Sequence, residues 1–198
     1  MSPPGRTKGE PPSAEHAGSP ISRLAAAGAR ELAPWLLVAA VVVVLDQTTK
    51  AVVRASLQPG ARIEVLPFVD LVLVFNAGAA FSFLAGAGGW QRGFFIAIAV
   101  AAATLIVHLL RRHPEDRLFC AGLALILGGA LGNLWDRIAL GHVVDFVLLH
   151  AYGYHWPAFN VADSVITVGA GLLVWDGVFG KREGRRARAE GGREKGEG

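Results

Sequence analysis

Four long apolar stretches separated by polar segments are the main pattern of this chain. They occupy about residues 34–54, 93–110, 118–138 and 159–179 of the sequence. Each stretch is close to the ~20 apolar residues that an α-helix needs to cross the hydrocarbon core of a bilayer. The pattern therefore predicts a membrane protein that is mainly α-helical, with four transmembrane helices in one domain over residues 34–179.

A different pattern occupies residues 56–90, between the first two apolar stretches. Hydrophobic positions alternate imperfectly with others from Ile63 to Phe75, and the alternation ends at the turn-forming Asn76-Ala77-Gly78. Such alternation, bounded by turn residues, is typical of short β-strands. We therefore predict a small β-sheet outside the membrane.

The segments outside these elements are polar or aromatic. Residues 139–157 contain three histidines and a cluster of aromatic residues. Because Tyr and Trp favour the headgroup level of a bilayer, we predict a loop with a short amphipathic element lying in the interface. The two tails, residues 1–33 and 180–198, are polar and without periodicity, so we predict that both are disordered.

Composition and charge agree with a membrane protein. Hydrophobic residues make up 53% of the chain and occur in blocks, which is unlike a water-soluble domain. The single cysteine, Cys120, excludes an internal disulfide and a cysteine-cluster metal site. The net charge of +3 comes from basic tails. Beside apolar spans such tails more often fix orientation than bind nucleic acid, so we expect no nucleic-acid partner.

The distribution of Lys and Arg predicts the orientation. Four occur before residue 34, three between residues 111 and 117, seven after residue 180, and none between residues 139 and 158. The positive-inside rule places both termini and the middle turn in the cytoplasm. The sheet and the aromatic loop are then expected on the outer face.

With this orientation, the polar residues of the apolar regions lie at the outer rim of the membrane. Ionisable groups close to hydrocarbon are costly and are treated as functional until shown otherwise. Asp46 and Lys50 are four residues apart, so they share a helix face and can pair. Asp145 and Asp163 flank the aromatic segment. Two carboxylates so placed would suit a hydrolytic site at a membrane surface.

Five segments in this order resemble the lipoprotein signal peptidase family, also called bacterial signal peptidase II. They are DQTTK (46–50), FNAGAAF (75–81), GGALGNLWDR (128–137), GHVVDF (141–146) and FNVADS (159–164). The resemblance implies a four-helix aspartyl protease of the bacterial inner membrane, with an outer β-cradle and a small helix over the site. It also implies removal of signal peptides from prolipoproteins, by cutting before the diacylglyceryl-modified cysteine.

The resemblance also assigns roles to nine residues. Asp145 and Asp163 match the catalytic pair. Positions that shape the site or contact substrate are matched by Asn76, Asn133, Arg137 and Asn160. A supporting pair is matched by Asp46 and Lys50, and a structural acid, held by Arg137 or its neighbours, by Asp136. We expect no metal and no cofactor. The expected partners are lipidated prolipoprotein signal peptides and membrane lipid, with the enzyme a monomer.

Alternative functions make different demands on the sequence. A metalloprotease would need His142, His150 or His155 to join Asp145 around a metal, but the chain has no HExxH-type helical pair. A proton-coupled transporter also carries carboxylates in the membrane, but its site is expected near the midplane, often between repeats. A purely structural membrane protein would leave the clustered acids unexplained.

Overall fold

Four helices form the body of the fold in a computed structural model, which describes residues 20–78 and 90–180. They are α1 (Pro20–Ser56), α2 (Trp90–Arg112), α3 (Arg117–Ala139) and α4 (Val161–Trp175), the last continuing as a π-helical turn, Asp176–Gly180. Within them, four segments are long and apolar enough to cross a membrane: Arg30–Ser56, Trp90–Arg112, Arg117–Ala139 and Val161–Phe179. The prediction of four helices of membrane-spanning length is confirmed.

The first helix begins earlier than its hydrophobic pattern predicts. It starts at Pro20, so residues 20–33, which we assigned to a disordered tail, are helical, and Pro34 lies inside the helix. Residues 24–33 contain five alanines. Because alanine has the highest helix propensity, the helix can extend beyond the apolar stretch. The predictions for residues 1–19 and 181–198 lie outside the described residues.

Helix α3 packs against all three of the other helices. Three of its glycines explain how closely α1 and α4 approach it. A Cβ atom on Gly128 would lie 2.6 Å from the Val42 Cβ, and one on Gly129 would lie 2.5 Å from the Ala162 carbonyl oxygen. On Gly132 it would lie 2.6 Å from an Asp46 carboxylate oxygen. Small residues at such crossings allow helix backbones to come close.

A four-stranded antiparallel sheet has the order β1-β2-β3-β4. Its strands are β1 (Arg62–Leu66), β2 (Val69–Asn76), β3 (Val143–Ala151) and β4 (Tyr154–His155). The predicted sheet is therefore confirmed, but its extent is larger. Most of residues 139–157, predicted as a loop with an amphipathic element, forms β3 and β4 instead. The reason is that β3 pairs with β2, bringing Asp145 opposite Val74.

The small helix that the resemblance implies over the site is not found in residues 20–78 and 90–180, where strands connect α3 to α4. The segment after β2, residues 79–89, lies outside the described residues, as does the end of the FNAGAAF motif.

Buried charged and amide side chains are concentrated at one end of the helix bundle. The apolar core lies between the first halves of α1 and α3 and the end of α2; it contains Leu32, Ala39, Ile106, Leu110, Cys120, Leu123 and Leu127. Beside the sheet, α1, α3 and α4 bury charged and amide side chains. The fold thus concentrates its polar interior where the sheet meets the bundle.

Candidate active site

The structure brings all nine predicted residues together in one connected hydrogen-bond network. Six of them are buried: Asp46, Lys50, Asn133, Asp136, Asp145 and Asn160. The network draws on α1, α3, α4 and the adjoining ends of β2 and β3. Buried polar groups in folded proteins are almost always paired, and here they pair mostly with one another.

Asp145 is the more deeply buried of the two candidate carboxylates, with 1% of its surface exposed. One carboxylate oxygen accepts a hydrogen bond from Asn76 Nδ2 at 2.9 Å, and the other accepts one from Asn160 Nδ2 at 2.7 Å. Burial raises the pKa of Asp145 to about 6. The hydrogen bond from Asn76 lowers the pKa of Asp145, and the charge of Asp163 raises it. The hydrogen bond from Asn160 and the charge of Lys50 also lower it. Asp145 is therefore suited to hold a proton.

Asp163 is half-buried and is fixed by the start of α4. Asn160 is the N-cap of that helix, and its Oδ1 accepts the Asp163 backbone N–H at 3.0 Å. In return, Asp163 Oδ2 accepts the Asn160 backbone N–H at 3.3 Å. This reciprocal capping box satisfies two helix-end donors, and the carboxylate lies favourably near the positive end of the helix dipole. Asp163 thus has a fixed place that still reaches the surface.

Two asparagine amides connect the aspartates. Asn160 donates from Nδ2 to Asp145 and accepts on Oδ1 from the backbone of Asp163. Asn133 donates from Nδ2 to Asp163 Oδ1 at 2.8 Å, and its Oδ1 accepts from Asn160 Nδ2 at 3.2 Å. Asp145 therefore accepts from Asn160, and Asp163 accepts from Asn133. The two buried asparagines are hydrogen-bonded to each other. This arrangement can hold two carboxylates in a defined relation to each other.

A buried ionic cluster lies directly behind this pair. Lys50 Nζ is 2.7 Å from Asp46 Oδ2 and 2.9 Å from Asp136 Oδ2. The predicted pairing of Asp46 with Lys50 is thus observed. The resemblance implied that Arg137 or its neighbours hold Asp136, whereas the structure gives that carboxylate partners from α1 and β3.

Arg137 has different contacts. Its guanidinium donates to the Asn133 carbonyl oxygen at 3.1 Å and lies 5.0 Å from the centre of the Phe95 ring. It therefore borders the site through the backbone of α3 and a ring of α2, while its charge remains close to both candidate carboxylates.

Gln47 is a member of the network that the sequence reasoning did not single out. Its Nε2 lies 3.1 Å from Asp46 Oδ2, 2.9 Å from Asp136 Oδ1 and 3.1 Å from the Gly132 carbonyl oxygen. The sequence feature that could have identified Gln47 is its position between Asp46 and Lys50, where the apolar stretch becomes polar.

Asp70 is a buried acid of the sheet that sequence reasoning also passed over. It forms an ion pair with Arg62 and lies 3.2 Å from His150 Nε2, although neither approach has hydrogen-bond geometry. Its partners lie along β1 and β3, so it belongs to the sheet and not to the network around Asp145.

The histidines that a metalloprotease would need do not gather around Asp145. His142 packs 4.5 Å from the Phe75 ring, whereas His150 and His155 stack on each other at 5.7 Å near the opposite end of β3. Among residues 20–78 and 90–180, no group of three or more His, Cys, Asp or Glu side chains is arranged to hold a metal ion. The described residues do not supply the ligand set which that alternative requires.

Four helices of membrane-spanning length, with two linked carboxylates where the bundle meets a sheet, define a class of multi-pass membrane protein with a candidate hydrolytic site. The model of one protein family, Signal peptidase (SPase) II, matches residues 38–179. The chain belongs to this family, and it is therefore an integral membrane protein and a protease. The resemblance noted in the sequence is confirmed.

Individual relatives agree with this membership. The chain is 57% identical over 145 residues to a lipoprotein signal peptidase of Paraburkholderia phymatum, covering 73% of this chain and 87% of the relative. It is 59% identical to one of Paraburkholderia phytofirmans, covering 73% and 84%. A solved structure of a bacterial membrane enzyme matches with a TM-score of 0.65 at 32% identity, covering 72% of this chain and 91% of that one. The transporter alternative is not supported.

Proposed function

We propose that this protein is a metal-independent aspartic endopeptidase that removes signal peptides from diacylglyceryl-modified prolipoproteins, cutting before the lipidated cysteine. Asp145 and Asp163 are the catalytic pair. The single observation that carries this proposal is the pair itself: one carboxylate is buried with its pKa raised to about 6, and Asn160 links it to the other. Family membership supports the substrate class, since the relatives are named lipoprotein signal peptidases.

The different environments of the two carboxylates suggest different roles. Carboxylates whose surroundings separate their pKa values can act as acid and base in one reaction. Asp145 is buried and its pKa is raised, so it holds the proton that the pair shares. Asp163 is half-buried and faces water more readily, so we assign it the role of general base. When a bound substrate excludes water, desolvation favours the shared proton further.

The first step is attack by water. Asp163 takes a proton from the water molecule while the water oxygen bonds to the scissile carbonyl carbon. Asp145 gives its proton to the carbonyl oxygen at the same time. The product of this step is a neutral tetrahedral diol, with Asp145 now ionised and Asp163 now protonated.

The second step breaks the peptide bond. Asp163 gives its proton to the nitrogen of the leaving cysteine, and Asp145 takes a proton from one hydroxyl of the diol. The carbon–nitrogen bond breaks, which releases the signal peptide with a free carboxyl group and the lipidated cysteine with a free amino group. Both aspartates return to their starting protonation states, so the cycle needs no metal and no covalent intermediate.

The surrounding residues position the pair and the substrate. Asn76 and Asn160 hold Asp145 through its two oxygens. Arg137, which is half-buried, and Asn133, which is buried, are the groups proposed to contact the substrate backbone. Because the site lies at one end of the bundle, a substrate anchored in lipid can enter sideways while water enters from the aqueous side.

The orientation and assembly state are part of the proposal. The excess of basic residues in the tails and the middle turn supports an inner-membrane protein with both termini cytoplasmic. The site then lies on the outer face, where prolipoproteins are expected after export. Membrane lipid surrounds the bundle, and all nine residues of the described network come from one chain, which supports action as a monomer.

The test is cleavage of a lipidated prolipoprotein by the purified protein in detergent or lipid. A mobility shift on a gel, with mass spectrometry of the new amino terminus, should reveal a diacylglyceryl-modified cysteine. A matched substrate with serine in place of that cysteine, which cannot be lipidated, should remain intact. The proposal fails if the lipidated substrate stays uncut, or if EDTA stops the reaction and added metal restores it.

A further inference from the structure

We propose that Lys50 is a positioning residue for both catalytic aspartates. Its buried ammonium group holds two other acids, Asp46 and Asp136, and each of these acids fixes the backbone beside one catalytic aspartate. The inference rests on the proposed function, since it assigns Lys50 a role relative to that carboxylate pair. We call the three side chains Asp46, Lys50 and Asp136 the clamp.

Each acid of the clamp binds the chain immediately before one catalytic aspartate. Asp46 Oδ1 accepts the backbone N–H of Ala162 at 2.9 Å, and Ala162 precedes Asp163. Asp136 Oδ2 accepts the backbone N–H of Val144 at 3.1 Å, and Val144 precedes Asp145. The clamp therefore joins α4 and β3, the two elements that carry the pair, to a single cation on α1.

A second connection runs from Lys50 to Asp163 through a side chain. Lys50 Nζ donates to Asn133 Oδ1 at 2.9 Å, and Asn133 Nδ2 donates to Asp163 Oδ1 at 2.8 Å. An ammonium group can only donate hydrogen bonds, so the Asn133 oxygen must face it and the amide nitrogen must face the aspartate. Lys50 thus sets the orientation of the amide that holds Asp163.

The clamp is buried as well as connected. Its three side chains are at most 2% exposed, and Gln47 donates to an oxygen of each acid. Buried ions are stable only when further hydrogen bonds satisfy their remaining atoms, which leaves few alternative arrangements. Gly132 adds to the restriction, since a Cβ there would lie 2.6 Å from Asp46 Oδ2.

A positioning role for Lys50 has two consequences that can be measured separately. If the clamp fixes the two carboxylates, its loss should misplace them, and a misplacement of about 1 Å can lower turnover about 100-fold. The charged groups around Asp145 are Lys50 from α1, Asp136 and Arg137 from α3 and Asp163 from α4. Because the Lys50 charge lowers the pKa of Asp145, removal of that charge should raise the pH at which Asp145 titrates.

The experiment compares three variants in the full chain. Lys50→Met removes the ammonium group at nearly constant length. Lys50→Met combined with Asp136→Asn removes one positive and one negative charge, so the net charge stays constant while the clamp is lost. The control is Arg54→Met, which removes an exposed cation one turn further along α1.

Two readouts are needed, and one is independent of activity. The first is kcat and KM on a lipidated prolipoprotein. The second is infrared titration of the protonated Asp145 carboxyl group, identified as the band that Asp145→Asn removes. A wild type that fails to cleave would overturn the proposed function, whereas the titration would still report on the influence of Lys50.

The expected result is a kcat about 100-fold lower in both clamp variants, with KM within about threefold of wild type. Asp145 should titrate at higher pH in Lys50→Met, and Arg54→Met should behave as wild type. Near-normal kcat in either folded clamp variant overturns the inference, as does an unchanged titration in Lys50→Met. Failure of both clamp variants to fold also contradicts it, since the clamp would then be a requirement of folding.

Discussion

Asn160 makes two contributions to the site that substitution can separate. Its Oδ1 caps α4 by accepting the Asp163 backbone N–H, and its Nδ2 donates to Asp145 at 2.7 Å. Serine caps helices about as well as asparagine, but its hydroxyl is too short to bridge to Asp145. Alanine removes both contributions. Asn160→Ser should therefore lose mainly the control of Asp145, whereas Asn160→Ala should lose that control and the cap.

The magnitudes follow from the two bonds. A hydrogen bond to a charged group contributes about 1.5–3 kcal/mol. Since one pH unit of pKa corresponds to about 1.4 kcal/mol, loss of the Nδ2 bond should raise the pKa of Asp145 by about one to two pH units above its value of about 6. Loss of the cap in Asn160→Ala should lower the free energy of unfolding by about a further 1 kcal/mol.

Stability and activity should both report the change in Asp145. Between the ordinary pKa of 3.8 and about 6, the folded state binds more protons at this group than the unfolded state, so stability falls as pH rises through this window. In Asn160→Ser the decline should continue to about pH 7–8. The alkaline limb of kcat/KM, which reports loss of the shared proton, should move in the same direction, with a lower maximum.

The assays are thermal unfolding in detergent and kcat/KM, both measured across the same pH series for wild type, Asn160→Ser and Asn160→Ala. The reasoning is refuted if the alkaline limb stays in place or moves to lower pH. It is also refuted if the serine and alanine variants lose equal stability, because the cap would then contribute nothing.

Three further predictions concern packing, topology and the tail. Gly129→Ala should lower the free energy of unfolding by about 1–3 kcal/mol, because the new Cβ would lie 2.5 Å from the Ala162 carbonyl oxygen. Gly171→Ala places its Cβ in open space and should leave the free energy of unfolding unchanged. Equal melting temperatures for the two variants would contradict this packing. A cysteine at Ala151 should react with an impermeant reagent outside intact cells, and labelling only from inside would reverse the topology. Removal of residues 181–198 should leave turnover in detergent unchanged, and lost turnover in a folded truncation would give the tail a role.

The sequence was most informative where a feature depends on local pattern. Apolar length alone predicted four helices, because a spanning helix needs a fixed number of residues. The spacing of Asp46 and Lys50 predicted their pairing, because residues four apart share a helix face. Alternation in residues 56–90 predicted strands. The alternating direction expected of successive helices predicted that the polar groups would gather at one end.

Features that depend on distant partners were not predictable in the same way. Strand β3 looked like an aromatic loop because its pairing with β2 joins segments about 70 residues apart, as in the pair Val74 and Asp145. For Asp136 the expected partner was Arg137 or its neighbours, but Lys50 reaches this carboxylate from α1. The early start of α1 was missed because alanine propensity, not hydrophobicity, extends the helix beyond Pro34.

The most direct test of the account is the turnover of lipidated prolipoprotein by Asp145→Asn, Asp163→Asn and the double variant, each first checked for insertion and folding. Asparagine keeps the size of the side chain but cannot take up and return the proton. Each single variant should lose about 10⁴-fold or more in kcat, and the double variant should be little worse, because effects within one catalytic unit are far from additive. Near-normal turnover by Asp145→Asn, or losses that multiply in the double variant, would contradict a shared two-aspartate mechanism.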